Sequence, residues 1–248
     1  MKLLSSKLNT KMHRIELGDI KVDVMLKDIK NIHLSVYPPS GKVRISAPEH
    51  MNLDIIRVYA ISKLSWIRKQ QTKLNKQKRE TPRLFLNRES HYFNGKRYLL
   101  KVIEHDAAPI VKLTHRYIEM YVRPDTTIIK KKILLDEWYR AQLKAKLPEI
   151  IANWQNTIQV HVNEFGIKKM KTKWGTCNPD AKRIWLNLEL AKKPAECLEY
   201  IVVHEMTHLL ERNHNTRFIA LMDEFLPKWR FLKDELNRLP VSHVDWGY

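Results

Sequence analysis

The chain has 248 residues, of which 44% are hydrophobic and 29% charged, and its formal net charge is +18. This much apolar material supports one large domain or two small ones and excludes a wholly disordered chain. Two cysteines, Cys177 and Cys197, exclude a disulfide framework and favour a reducing compartment. No apolar run approaches the roughly 20 residues that a bilayer requires, and the N-terminal segment lacks the apolar run of a signal peptide. We therefore expect a cytoplasmic protein without membrane contact.

The positive charge is unevenly distributed along the chain. Residues 57–101 contain 13 lysines and arginines against Glu80 and Glu89, whereas residues 194–227 contain six acidic and two basic residues. Basic segments attract nucleic acid or acidic partners, although many are only solvated surfaces. Segment 57–101 is therefore the candidate nucleic-acid-binding surface, with a plain solvated surface as the alternative.

Alternation of apolar and polar residues predicts short strands through the first half of the chain. The predicted strands cover residues 21–26, 32–37, 43–46, 98–102 and 117–122. Asn94-Gly95 lies between apolar flanks and predicts a hairpin. Asn52 is a favourable N-cap for a helix that reaches Leu74, and we expect Trp66 to anchor this helix to the preceding sheet.

Helical spacing dominates the second half of the chain. A helix follows Pro124-Asp125, and Pro148 either kinks it or begins a new helix. Two further strands are predicted at 167–173 and 183–188, followed by helices at 194–212, 215–225 and 228–238. This order predicts an α+β fold with a strand-rich N-terminal part, residues 1–125, and a helical domain, residues 126–248.

His204-Glu205-Met206-Thr207-His208 forms an HExxH sequence within a predicted helix. Residues four apart lie one above the other on a helix, so His204 and His208 can present imidazole nitrogens to one metal ion. Glu205 is displaced by about 100° around the helix axis, so it can take a proton from a metal-bound water without binding the metal. A pair of core or surface histidines is the alternative that the pentapeptide alone leaves open.

A third histidine, His214, follows at the spacing found in HExxHxxGxxH zinc sites. Glu211 replaces the glycine of that pattern, so the chain must turn differently. Asn213 is the candidate turn residue, because asparagine tolerates the left-handed conformation. Two histidines, one further ligand and a water make the open tetrahedral site of catalytic zinc. His214 is the favoured third ligand, and Glu224 is its rival.

Several spaced motifs between residues 167 and 236 form one specific combination. They are Trp174-Gly175-Thr176-Cys177, Ile184-Trp185-Leu186-Asn187-Leu188, residues 199–209 around the HExxH sequence, and Asn213-His214 with Phe218. The combination resembles the YgjP-like metallopeptidases, which are relatives of the SprT-like and WLM zinc proteases. Thr176, Met206 and Ile219 depart from the family's usual residues, and none of the three is a candidate ligand.

The resemblance implies that residues 126–248 form a zincin-type metallopeptidase domain with a catalytic zinc site. It makes His204, His208 and His214 the ligands of Zn²⁺ and Glu205 the catalytic base. The resulting hypothesis is a zinc-dependent metallopeptidase that hydrolyses peptide bonds of a polypeptide substrate through a metal-bound water.

Two other functions share parts of this pattern. A nucleic-acid-associated binding or adaptor protein would carry a structural or silent zinc site, and a non-peptidase zinc hydrolase would use the same residues. A structural site requires a fourth protein ligand, and the two cysteines lack CxxC spacing, so an enzyme is favoured. Packing is the favoured role for Trp174 and Cys177, whereas Tyr200 either packs or donates a hydrogen bond to an oxyanion.

If segment 57–101 binds nucleic acid, its affinity falls steeply with salt, because each neutralised phosphate releases counterions. Charge reversal at Arg68, Lys69 and Lys73 should weaken binding and leave the metal content unchanged. Titration of a labelled oligonucleotide at several salt concentrations measures this. Absence of binding at low salt would make the segment a plain solvated surface.

Overall fold

The computed structural model describes residues 12–37, 40–76, 83–170 and 173–239. These residues belong to two compact units, and the division falls between residues 78 and 79. Within the described ranges, no helix combines the length and the apolar character needed to cross a membrane.

The first unit contains a four-stranded sheet. Its strands are β1 Met12–Leu17, β2 Ile20–Lys27, β3 His33–Tyr37 and β4 Lys42–Pro48. The order is β1-β2-β4-β3, with β2 and β4 parallel and the other pairs antiparallel. The three strands predicted here correspond to β2, β3 and β4. The paired central strands bury Val22, Val24, Val43 and Ile45 on one face.

Two helices, α1 Leu53–Ser62 and α2 Leu64–Lys76, follow this sheet. Asn52 caps α1 as predicted, because its Oδ1 accepts a hydrogen bond from the Asp54 N–H at 2.9 Å. The single helix predicted through Leu74 is instead two helices, since Lys63 leaves the α-helical conformation at φ −103° and ψ 5°.

The residue that packs α2 into the core is Ile67 and not the predicted Trp66. Trp66 is 42% exposed, whereas its neighbour Ile67 is fully buried in the core of the first unit. Ile56 and Ala60 of α1 are buried in the same core. The helical period turns Ile67 towards these residues and therefore turns Trp66 outward.

The second unit begins with another four-stranded sheet. Its strands are β5 Ser90–Phe93, β6 Lys96–Glu104, β7 Ile110–Leu113 and β8 Tyr117–Val122, in the order β5-β6-β8-β7. Asn94 and Gly95 form the predicted hairpin turn with φ values of 49° and 75°. Positive φ at both positions is the requirement that makes Asn-Gly a hairpin signal.

One long helix, α3 Ile128–Ile158, crosses this unit. Pro148 lies inside it and neither ends the helix nor starts a new one. Leu147 and Ile151, on either side of the proline, are both buried in the core, and this packing stabilises a helix that has lost one hydrogen bond. The helix ends at Gln159, which adopts the left-handed conformation at φ 58°.

The strands before α3 share their core with the helices after it. Ile118 and Met120 of β8, Tyr139 of α3 and Val202 belong to one buried cluster. The Tyr139 hydroxyl also donates a hydrogen bond to the carbonyl of Tyr92 at 2.8 Å. The compact units therefore divide at residue 78, whereas the sequence analysis placed the division at residue 125.

A three-stranded sheet and three helices complete the second unit. The strands are β9 Glu164–Lys168, β10 Gly175–Asn178 and β11 Arg183–Asn187, in the order β10-β11-β9. A short 3-10 helix, Leu188–Lys192, leads to α4 Ala195–Thr207, α5 Thr216–Phe225 and α6 Trp229–Arg238. The predicted strand 167–173 overlaps β9 only at residues 167–168, and its residues 171–172 lie outside the described residues. Strand β10 was not predicted. The predicted α+β class is confirmed.

Candidate functional site

Helix α4 carries His204 and is followed by its C-cap residue His208, which keeps a right-handed helical conformation, so both histidines of the HExxH sequence lie on one face. The ring centroids of His204 and His208 lie 5.0 Å apart, with the rings nearly perpendicular. The helix is anchored by buried side chains before and between them, including Val202, Val203 and Met206. The two imidazoles are therefore held at fixed positions by a helix whose other faces are packed in the core.

The chain reverses directly after His208. Helix α4 ends at Thr207, five residues before the predicted end, and the N–H groups of Leu210 and Glu211 both bond to the Thr207 carbonyl at 3.0 Å. The Glu211 carboxylate then accepts a hydrogen bond from the Asn213 N–H at 3.2 Å. Asn213 is absent from the described residues with positive φ, so the turn does not use the left-handed asparagine that the sequence predicted.

This reversal brings His214 back to the first two histidines. Its Nε2 lies 3.0 Å from Nε2 of His204, and its ring centroid lies 4.7 Å from that of His208. One nitrogen from each of the three rings lies within 4.8 Å of the other two. Among the described residues this is the one group of metal-ligating side chains so close together, and Glu224, the rival ligand, is exposed and outside it.

The pKa values of two of the three imidazoles are lowered, which favours the neutral form that binds metal. Burial lowers the pKa of His204 to about 3, with further contributions from His208, His214 and Lys233. Burial followed by the charges of His208 and Lys233 lowers the pKa of His214 as well. His208 Nδ1 lies 3.0 Å from the Glu211 carbonyl. A carbonyl can only accept, so Nδ1 carries the proton and leaves Nε2 of His208 free for a metal.

The distance between two of the three nitrogens is close to that in a tetrahedral metal site. With metal–nitrogen bonds of about 2.0–2.1 Å, two ligand nitrogens lie roughly 3.3 Å apart. The 3.0 Å between the Nε2 atoms of His204 and His214 is close to this value. Such an approach of two uncharged rings is what a shared metal ion requires.

Glu205 lies outside the histidine group, and its side chain lies against the edge strand β10. Its side chain is 5% exposed, and a Cβ placed on Gly175 would lie 2.6 Å from Glu205 Oε1. Burial raises the pKa of Glu205 to about 8, although Lys173 opposes the shift. The carboxyl group thus occupies a narrow, weakly polar space between α4 and β10, next to the first histidine.

Phe218 of α5 is the apolar side chain on which all three histidines pack. Its ring centroid lies 5.0 Å from that of His204 and 4.7 Å from those of His208 and His214, and its side chain is 2% exposed. Asn215 caps α5 by accepting a hydrogen bond from the Phe218 N–H at 3.0 Å. The same short segment therefore delivers both the third histidine and the ring on which all three histidines pack.

The other residues that border the motif have packing roles or neutral side chains. Burial, together with the charge of Glu205, raises the pKa of the Cys177 thiol to about 12, and Cys177 lies outside the histidine group. Trp174 packs against the core of the second unit. Tyr200 is buried and contacts His204 edge-to-face at 5.9 Å.

Two residues of this site were not identified as functional from the sequence. Gly175 was noted only as part of a motif, although a glycine within a strand signals a close approach of another group. Asn187 was likewise noted only as part of a motif, and its side chain bonds the chain segment that enters β10. Both are recognisable only when the contacts across the fold are known.

Comparison with known proteins identifies one matching family. The family described as YgjP-like, metallopeptidase domain, matches residues 30–239, which include part of each unit and all of the candidate site residues. None of the curated proteins compared with the chain matches it.

Replacing Phe218 with leucine should weaken metal binding. The smaller side chain loses contact with three imidazole rings at once, and altered support of ligands typically costs at least about tenfold in metal affinity. Competition with a chromogenic chelator, with Zn²⁺ as the probe, measures the affinity. Phe225→Leu is the matched control, since Phe225 lies on the same helix and packs in the core without contacting the histidines in the structure. Equal affinities in the two variants would contradict the role of Phe218.

Proposed function

Because the chain belongs to the YgjP-like metallopeptidase family, we propose that it is a zinc-dependent peptidase with Glu205 as its general base. In this proposal His204, His208 and His214 hold the Zn²⁺ ion. The observation that carries it is the convergence of three imidazole nitrogens within 4.8 Å, next to a buried carboxyl group on the same helix.

The donor set favours zinc in an open, catalytic site. Three neutral imidazoles suit Zn²⁺, and three protein ligands leave one tetrahedral position for water or substrate. A structural site would need a fourth protein ligand, and the described residues place no carboxylate or thiol within the histidine group. This argues against an adaptor protein whose zinc is only structural.

The reaction divides between the ion and Glu205. A Zn²⁺ ion held by the three histidines would polarise the scissile carbonyl and acidify the attacking water. The Glu205 carboxylate accepts a proton as the water oxygen bonds to the carbonyl carbon. It then donates that proton to the amide nitrogen as the carbon–nitrogen bond breaks, which releases a carboxylic acid and an amine. The buried space around Glu205 keeps bulk water from competing for this proton.

The free edge of strand β10 favours a polypeptide as the substrate. The Asn187 N–H donates to the Trp174 carbonyl at 2.9 Å, so these two residues form a hydrogen-bonded pair of the β10–β11 ladder. Bonded and non-bonded pairs alternate in an antiparallel ladder, so Gly175 and Cys177 direct their main-chain N–H and C=O groups away from β11. No described strand pairs with that side of β10. An extended peptide can add there as a further strand, beside Glu205.

Glu205→Gln separates catalysis from structure. Glutamine has the size of glutamate but does not accept the proton, so peptide hydrolysis should fall by at least about 10²-fold. Zinc content and melting temperature should stay near those of the wild type. Cleavage of a peptide library together with metal analysis measures both, and Glu196→Gln, an exposed position on the same helix, is the control. Surviving activity with zinc bound would contradict the assigned base, and loss of zinc would make Glu205 a ligand.

His208→Ala should remove most of the bound zinc. The wild type is expected to hold one Zn²⁺ per chain, and two remaining imidazoles are too few for a stable catalytic site. Metal analysis after dialysis against a weak chelator measures the stoichiometry. His161→Ala is the control, because His161 is exposed and outside the histidine cluster. Full zinc content in His208→Ala would refute the ligand set.

A further inference from the structure

Gly175 begins the edge strand β10, and its Cα lies directly against the side chain of Glu205. A Cβ built at this position would lie 2.6 Å from Oε1, 2.7 Å from Cγ and 2.8 Å from Cδ of Glu205. Each of these distances is shorter than a van der Waals contact between heavy atoms. Any other residue at 175 would therefore displace the carboxyl group and part of its stem.

The glycine is required for space and not for backbone conformation. Gly18, Gly41 and Gly95 have positive φ values, and Gly175 does not belong to this group. Alanine can adopt the backbone of Gly175 without strain, so the substitution affects what the side chain meets. What it meets is a flexible side chain, which can move without unfolding the protein.

Glu205 is 5% exposed, and Tyr200 and Met206 of the same helix are also buried. The main chain at Gly175 therefore determines where the carboxylate lies in relation to His204. Main-chain atoms can do this only if the strand itself is held in place.

Asn187 fixes the strand at this point. Its Nδ2 donates to the carbonyls of Met170 at 3.0 Å and Lys173 at 2.8 Å, and its Oδ1 accepts from the Met170 N–H at 3.3 Å. Its main-chain N–H bonds the Trp174 carbonyl at 2.9 Å. Asn187 is 5% exposed, and these bonds hold the segment that leads directly into β10.

We propose that Gly175 is a positioning residue that sets the place of the Glu205 carboxylate by direct contact, and that Asn187 holds Gly175 in position. This inference rests on the proposed function, because it assigns a cause to the geometry of the base. It predicts that a single methyl group at position 175 impairs proton transfer while the fold and the metal site remain.

Gly175→Ala tests the inference directly. Misplacement of a reacting group by about 1 Å can cost roughly 10²-fold in rate, so we expect kcat to fall by about 10- to 100-fold, with KM, zinc content and melting temperature little changed. Gly166→Ala is the matched control. Gly166 lies in the same sheet, on the opposite face, and a Cβ there would lie 2.1 Å from the Trp185 ring. This control should keep the wild-type kcat.

A double mutant identifies whether the effect passes through Glu205. If Gly175 acts only by placing the base, Gly175→Ala should not lower the residual activity of Glu205→Gln any further. Asn187→Asp, which loses both donated bonds to the preceding segment, should lower kcat in the same way and be equally silent in the Glu205→Gln background. A full additional loss in either double mutant would overturn the inference.

Crystal structures of the wild type and Gly175→Ala give a readout that is independent of activity. Displacement of the Glu205 carboxylate in the variant, with the three histidines unmoved, supports the inference. A carboxylate at its wild-type position overturns it, whatever the rates. If the zinc-loaded wild type cleaves no peptide, the proposed function fails, and the position of the carboxylate still decides what Gly175 does.

Discussion

The site depends on bringing three imidazole rings together, with one nitrogen of each within 4.8 Å of the other two. A helix supplies two of them without cost, because residues four apart share a face. The third must come from outside the helix, so α4 ends at Thr207 and the chain reverses within a few residues. Hydrogen bonds to the Thr207 carbonyl and from the Asn213 N–H to the Glu211 carboxylate make that reversal.

Packing around the rings supports the same requirement. Phe218 contacts all three imidazoles and is itself buried, and burial lowers the pKa of both His204 and His214. The Glu211 carbonyl accepts a hydrogen bond from the His208 ring and so determines which nitrogen faces the cluster. Glu211, at the position where related patterns have glycine, therefore contributes its carboxylate to the turn and its carbonyl to a candidate ligand.

Local patterns in the sequence were sufficient for the parts of the fold that local physics determines. The α+β class, the Asn52 cap, the Asn94-Gly95 hairpin and the helical setting of His204 and His208 all follow from periodicity or from backbone preference. The predicted ends of α4 and β9 were wrong. Helix α4 ends where the N–H groups of Leu210 and Glu211 bond to the Thr207 carbonyl, and β9 ends with its pairing to β11 at Lys168, and periodicity shows neither. The core shared by Ile118, Tyr139 and Val202 is invisible in a linear pattern, and the predicted division at residue 125 cuts through it.

The contact between Gly175 and Glu205 shows why the site is more than its ligands. The side of Gly175 where other residues carry a Cβ faces Glu205. Its main-chain N–H and C=O groups face the free edge of β10. In the proposed reaction, a peptide that adds to this edge would bond to the residue that also determines the position of the base. The same main-chain segment, held by Asn187, would then position both the peptide and the carboxylate that accepts the proton. Alignment to a common rigid element lowers the entropic cost of bringing water, base and carbonyl together.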